Sequence, residues 1–302
     1  MLTKDDVKSQ TRSGRQLTCA GVLYVVALPI GNDEDISARA LRVLSEVDLI
    51  ACEDTRRMAR VLASHSIGTP TVSYFEHNET HRIPNLIARL RAGARIALAS
   101  DAGTPTISDP GYRLVRACIE AGVRVTAVPG PCAAITALVI AGLPTDRFAF
   151  EGFLPPKAGE RKRLLLQLAT EKRTLIIYEA ARRLPQLLSE VAATFGPQRR
   201  VAVVREATKV HEDIVRGTVA EVAEYFSSRQ ALGEVTLLVE GAPVSGRITT
   251  CPELDPSRVV GALLEVGLSL KDASLAASKI TGISRREIYQ GAVSARKVTD
   301  SK

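Results

Sequence analysis

From Gly21 onward, short apolar runs rich in β-branched residues alternate with polar-apolar stretches of helical spacing. The runs predict strands at Val22–Val26, Leu49–Cys52, Thr71–Tyr74, Arg95–Ala99 and Val123–Val128. The spacing between them predicts helices near 35–46, 55–64, 80–92 and 111–121. Such alternation implies a mostly parallel sheet covered on both faces. Pro129-Gly130-Pro131 breaks the pattern, and an Ala-rich helix over 132–141 follows, ended by Gly142 and Pro144. A second strand series reads Phe148–Glu151, Thr174–Tyr178, Arg200–Val204, Glu212–Val215 and Val235–Val239. Helices near 159–170, 183–194 and 218–228 intervene. Strands crowd together after residue 200, which predicts antiparallel pairing and a mixed second sheet.

The expected class is therefore α/β. It comprises a polar, disordered extension over 1–18, a parallel α/β domain over 19–130 and a mixed α/β domain over 131–243. The cleft between the two sheets is the default ligand site. Residues 241–256 read as a linker, and 255–294 as a small helical unit. Asp255-Pro256 is a cap followed by proline in the first turn, and Ser269…Asp272 and Ser284…Glu287 are further helix starts. Thr281-Gly282-Ile283 is a turn between the last two helices, with Arg285 and Arg286 opening the second. The pattern fits a helix-turn-helix and equally a plain helical hairpin.

Composition narrows the class. The chain has 302 residues and a net charge of +7, compatible with a polyanionic partner. Its five cysteines, Cys19, Cys52, Cys118, Cys132 and Cys251, are scattered and form no CxxC. That pattern suits a reducing compartment without structural zinc. Met1–Thr18 has no apolar signal core, and the apolar run Cys132–Leu143 is too short to span a bilayer. A soluble, cytoplasmic protein with no membrane partner is the expectation.

The most informative loop is Ser100–Gly111, SDAGTPTISDPG, between a predicted strand and a predicted helix. Ligands of open α/β sheets bind at such strand ends. Gly103 lets backbone approach a ligand, Pro105 stiffens the loop, and Asp101 can accept hydrogen bonds from ribose hydroxyls or an amine. Leu28–Asn32, Val128–Cys132 and Glu179–Arg183 are further strand-end loops. None reads GxGxxG or GxxxxGK[ST], which disfavours a Rossmann dinucleotide site and a P-loop. Loops of this kind suit a nucleoside without a phosphate chain.

Taken together, these strings resemble the tetrapyrrole-methylase superfamily of class III S-adenosylmethionine methyltransferases. Within it they look like the small-subunit rRNA ribose methyltransferase I family. The matching residues are Leu23-Tyr24, Leu28–Asn32, Ile36, Arg39-Ala40, Asp48–Ile50, Cys52–Arg56, His77–Glu79, Ser100–Gly111 and Val128–Leu138. They continue in Ala141–Pro144, Phe148, Glu151–Pro155, Arg205–Lys209, Glu234 and Val239–Gly241. The resemblance covers roughly 21–294. It implies two α/β domains, a homodimer, and S-adenosylmethionine held between the domains. It further implies methyl transfer to the ribose 2′-oxygen of a cytidine in the decoding region of 16S rRNA, in the 30S subunit, with no DNA partner. By motif position the cofactor should meet Pro29, Asp101, Ala102, Gly103, Ile107, Cys132, Ala133, Glu179 and Ala207. Ala180-Ala181-Arg182 departs from the family's usual Ser, Pro or Thr, and His; Ala27 stands where Thr is common.

A ribose hydroxyl needs a general base to become a nucleophile. The candidates are Glu179, Glu206, Lys209 and Glu53, with Lys209 usable only if its pKa is depressed. Each could equally belong to a structural ion pair. For RNA contact, Arg56, His77, Asn78, Lys157, Arg161 and Arg163 are the candidates; a solvated basic face and a helix cap are the alternatives. His77 and His81 lack a third ligand, so no metal is expected. A precorrin-type tetrapyrrole methyltransferase and a non-catalytic RNA-binding protein are the competing readings.

Overall fold

The computed structural model describes residues 21–227, 229, 233–243 and 255–299. The expected extension over 1–18 and most of the 241–256 linker lie outside them. The chain divides into a unit ending at Ala242 and a second beginning at Pro243.

The first unit contains both sheets. In the first sheet, β1 (Val22–Val26), β2 (Leu49–Cys52), β3 (Thr71–Ser73), β4 (Arg95–Ala99) and β5 (Arg124–Val128) lie in the order β3-β2-β4-β1-β5. All pairings are parallel. Because β4 inserts between β1 and β2, the loops leaving β1 and β4 emerge side by side. This is the kind of switch point at which ligands bind. α1 (Ala38–Glu46) and α2 (Thr55–Ser64) cover one face through Leu44, Met58 and Leu62. α3 (Glu79–Arg91) and α4 (Tyr112–Glu120) cover the other through Leu86, Leu90 and Leu114. Each such side chain contributes about 1.5–3 kcal/mol of burial.

Local hydrogen bonds move some boundaries from the expected positions. Asn32 caps a 3-10 turn over Asp33–Asp35, so α1 begins only after its own cap, Ser37. β3 stops at Ser73, and the hydroxyl of the next residue, Tyr74, turns inward to donate to Glu79. Val123 donates its N–H to Cys118 and closes the end of α4 instead of opening β5.

The chain then passes to the second sheet through α5 (Ala133–Ala141). That sheet is formed by β6 (Phe148–Phe153), β7 (Thr174–Ala180), β8 (Arg200–Arg205), β9 (Asp213–Thr218) and β10 (Glu234–Val239), in the order β6-β7-β10-β8-β9. β6 and β7 are parallel, and the remaining pairs are antiparallel, as the crowding after residue 200 predicted. α5 packs Ala134, Ala137 and Leu138 on one face against Ile176, Ala202 and Leu238. α6 (Ala158–Leu168), α7 (Leu184–Phe195) and α8 (Val219–Ser227) cover the other.

The second unit contains α9 (Pro256–Glu265), α10 (Leu270–Thr281) and α11 (Arg285–Thr299) around Val260, Ala273, Ala277 and Ile288. Asp255 and Ser269 cap α9 and α10, and Gly282 ends α10 in the left-handed conformation. Arg285 and Arg286 are exposed at the start of α11.

Candidate active site

Three loops at the C-terminal edge of the first sheet are tied together by backbone. Leu28 donates its N–H to Gly103 at 2.9 Å, and Gly103 donates back at 3.1 Å. The Thr104 hydroxyl donates to Pro131 at 2.9 Å. Gly103 has φ of +71°, so this paired turn needs glycine. Asp101 anchors the β2 end: it accepts from the Asp54 N–H at 3.0 Å and pairs with Arg57 at 3.0 Å.

The second sheet meets this edge at two points. The loop after β8 crosses the loop after β1: a Cβ at Gly31 would lie 2.3 Å from Cγ of Lys209 and 3.2 Å from the Ala207 carbonyl oxygen. Farther along, the Ser108 hydroxyl lies 3.3 Å from where Gly152, at the β6 bulge, would carry a Cβ. Five non-glycine residues have positive φ among the described residues, and four of them lie in these loops: Thr106, Ser108, Glu206 and Thr208. Such backbone costs about 1–3 kcal/mol per residue and concentrates where a site is held rigid. The Thr208 hydroxyl is buried with no hydrogen-bond partner. Two hollows of the described residues lie elsewhere. One, of about 190 Å³, is lined by α9 and α11 residues such as Val260 and Ile288; the other, of about 280 Å³, is lined by Leu49, Val72 and Leu86.

Pro29, Asp101, Ala102, Gly103 and Cys132 all sit on the three tied loops, Ala133 opens α5, and Ala207 lies against Gly31. Ile107 is partly exposed on the same long loop as Asp101. Glu179 ends deep in β7, only 2 % exposed.

The residues expected to act as base are otherwise engaged. Glu179 accepts from its neighbour's N–H at 2.7 Å and from Arg183 Nε at 2.6 Å, so its carboxylate is a buried ion pair. Lys209 pairs with Glu206 at 3.0 Å and Glu234 at 3.2 Å. Burial pulls its ammonium down, but those two carboxylates outweigh burial and leave its pKa raised, the opposite of what a lysine base requires. For Glu206, burial pushes up, but the Glu234 N–H and Lys209 prevail and hold it below its ordinary range. These three assignments are therefore corrected. Glu53 keeps no hydrogen-bond partner among the described residues, and burial and Asp101 push its carboxyl up.

Asp109, Tyr178 and Thr208 belong to this region and were missed. Asp109 lies in the loop already singled out, but only Asp101 had received a role. Burial is the main cause that raises its carboxyl to about 6; a Ser100 hydrogen bond opposes this, and Glu53, Asp101 and Glu234 push further upward. Tyr178 accepts from the Ala134 N–H at 2.9 Å and packs edge-on against Phe150. In sequence it is one apolar strand residue among several, and Thr208 carries no signal short of its φ.

The RNA candidates separate as well. Arg161 is corrected outright: it is 4 % exposed, pairs in bidentate fashion with Glu190 at 2.6 and 2.7 Å, and donates to Pro155 and Pro156. Its helix turns it inward, so it cannot reach phosphate. Asn78 is corrected too: its amide accepts from the Phe75 N–H and donates to Ser73, which uses it to build the turn before α3. Arg56 pairs with Asp54 yet stays 88 % exposed, and His77, Lys157 and Arg163 face solvent. No group of three His, Cys, Asp or Glu residues among the described residues could hold a metal ion, and no described helix is long and apolar enough to cross a membrane.

Residues 22–223 match the family model for Tetrapyrrole (Corrin/Porphyrin) Methylases. The chain is 47% identical over 278 residues to ribosomal RNA small subunit methyltransferase I of Pseudomonas aeruginosa, covering 91% of this chain and 97% of that one. It is 45% identical over 270 residues to the protein of that name from Synechocystis sp., covering 89% and 96%. Its fold is similar to uroporphyrin-III C-methyltransferase from Thermus thermophilus complexed with S-adenyl homocysteine, with a TM-score of 0.50, 22% identity and 72% and 96% coverage. The tied strand-end loops and these matches agree: the chain belongs to the tetrapyrrole (corrin/porphyrin) methylase family, alongside the ribosomal RNA small subunit methyltransferase I proteins.

Proposed function

We propose that this protein transfers a methyl group from S-adenosylmethionine to the ribose 2′-oxygen of a cytidine in the decoding region of 16S rRNA. In this reading it acts on the 30S subunit, in the cytoplasm, as a homodimer. The observation that carries it is the junction of the two sheets, where three strand-end loops are locked by backbone pairing and faced by a strained loop with an unpartnered buried hydroxyl. When bound, the cofactor supplies a methyl group on a cationic sulfonium. The residues present fit it. Glu53 and Asp101 concentrate negative charge there, Gly103 offers backbone without a side chain, and Thr208 offers a free donor. Asp101 is fixed by the Asp54 N–H and Arg57, so it can orient a ligand without reorganising. RNA has exposed cations to meet in Arg56, Lys157 and Arg163, and in Arg285 and Arg286 of the helical unit. Exposed Ile135 and Val139 on α5 support association between copies.

The test is radiolabelled methyl transfer to 30S subunits from a strain lacking this enzyme, with nuclease mapping and free 16S rRNA in parallel. Label on one ribose-methylated cytidine of the decoding region is expected. Cofactor binding without any RNA labelling overturns the substrate, and labelling of a tetrapyrrole instead assigns the competing activity.

A further inference from the structure

We propose that Asp109 is the general base that takes the proton of the acceptor hydroxyl. The inference rests on the methyl-transfer reading above. Among the described residues at the junction, the other candidate carboxylates are taken. Arg56 holds Asp54, Arg57 and an N–H hold Asp101, Arg183 holds Glu179, and Lys209 holds Glu206 and Glu234. Glu212 and Asp213 accept from the Thr208 N–H and from Arg205. Of the carboxylates that follow β2 and β4, two remain without a cation or N–H in contact, Glu53 and Asp109. Glu53 follows β2, beside Asp101, Arg57 and Asp54 of the first sheet's loops. Asp109 is also within electrostatic reach of Glu234, at the start of β10, and its neighbour Ser108 abuts Gly152 of β6. It is thus the carboxylate without a cation or N–H partner that lies toward the second sheet.

The backbone holds it there. Ser108 has φ of 63° and Gly111 of 133°, and a side chain at Gly111 would strike Leu98 at 2.7 Å. Pro110 restricts Asp109 itself to extended conformations. Its one hydrogen-bonding neighbour is the Ser100 hydroxyl. Burial and the carboxylates around it, Glu53, Asp101 and Glu234, give it proton affinity near neutrality, where a base is most effective.

The step balances without a further reagent. Asp109 takes the 2′-hydroxyl proton as the ribose oxygen forms its bond to the methyl carbon. The carbon–sulfur bond breaks with its electron pair on sulfur, which becomes a neutral thioether. Asp109 then releases the proton to water.

The experiment compares wild type with Asp109→Asn in three measurements: turnover on 30S subunits against pH, cofactor affinity, and the buffer dependence of binding enthalpy near pH 6. In wild type, turnover should fall on an acid limb centred at or below about pH 6, because the nearby sulfonium can only pull the carboxyl down. In Asp109→Asn, turnover should fall by about 10²–10⁴-fold and the limb should vanish, with cofactor affinity kept within about threefold. Binding of S-adenosylmethionine near pH 6 should release up to about a quarter of a proton more in wild type than in the variant, the amount that accompanies a roughly threefold difference in affinity. S-adenosylhomocysteine, which lacks the cation, should show little of this difference. Variant turnover within about threefold of wild type, or an unchanged acid limb, overturns the proposal. A tenfold loss of cofactor affinity also overturns it, by making Asp109 a cofactor ligand. Should the variant not fold, the wild-type profile and proton release decide, and absence of both overturns it. Wild-type protein that methylates no RNA overturns the proposed function instead, a result separate from any of these.

Discussion

The ends of β7, β8 and β10 and the loop after β4 both bring carboxylates to the junction of the sheets, but they treat them differently. At the first, Glu179 is sealed by Arg183, and Lys209 bridges Glu206 and Glu234. At the second, Asp109 has only a hydroxyl beside it and three carboxylates around it, and its proton affinity rises. Withdrawing a carboxylate from water raises its pKa, whereas a cation or N–H in contact lowers it. The contrast separates charges that hold the second sheet's periphery together from one that can hold a proton. Substitutions on the two sides should therefore fail in different ways.

The largest effect expected is on stability. Arg161→Ala removes a buried guanidinium and leaves the partly exposed Glu190 with Gln186 alone, and should cost about 1.5–3 kcal/mol by denaturant titration. Under native conditions the folded fraction should keep its RNA affinity and salt slope. Lys157→Gln with Arg163→Gln should do the reverse, leaving stability alone and lowering the salt slope of RNA binding by about 1.4–1.8. If the Arg161 variant changes the slope as those two do, it is not the structural residue described.

Asp101→Ala comes next. It removes the acceptor shared by the Asp54 N–H and Arg57, and cofactor affinity should fall about 10–100-fold by calorimetry. Unchanged affinity would move the binding site away from the tied loops.

Asp109→Asn carries a smaller, pH-dependent signature. The folded carboxyl is raised to about 6 from its ordinary value of 3.8, so the fold favours its protonated form. Its ionisation costs stability progressively as pH rises through that window, and the cost is fully present above about 6. Melting temperature should exceed wild type by roughly 2–4 °C at pH 8 and match it at pH 3.5. A variant less stable than wild type at pH 8 would mean that Asp109 has a partner.

Glu206→Gln should do least. It keeps an acceptor for the Glu234 N–H, and turnover should change by less than about threefold with no shift in the pH profile, far from the loss expected of a general base.

Much of this fold was legible in the sequence. Period and punctuation located the strands of both sheets to within a few residues, because alternating β-branched runs and Gly/Pro breaks act locally. Boundaries slipped where one side chain decided them: Ser37 delayed α1, and the inward Tyr74 hydroxyl accompanied an early end to β3. The loops of the site were legible as well, since Ser100–Gly111 concentrates glycine, proline and aspartate at a strand end. The roles of individual charges were not. Arg161 sits in a basic run with Lys162 and Arg163, and only the helix phase and Glu190, distant in sequence, turn it inward. Glu179 and Arg183, and Glu206 and Lys209, are four and three residues apart, but outside a helix that spacing does not say that a pair forms, and Glu234, which Lys209 also meets, is distant in sequence. Asp109 drew no role because its distinction is the lack of a cation or N–H partner, which no spacing records.

The contrast is tested most directly by carboxyl carbon NMR of the labelled protein titrated from pH 3 to 8, with Asp109→Asn to assign the signal. An aspartate carboxyl titrating near pH 6 and lost in the variant is the expected result, with the Glu190 and Glu206 carboxyls titrating below the ordinary glutamate range. An Asp109 signal that titrates near the ordinary aspartate value of 3.8 would contradict the account.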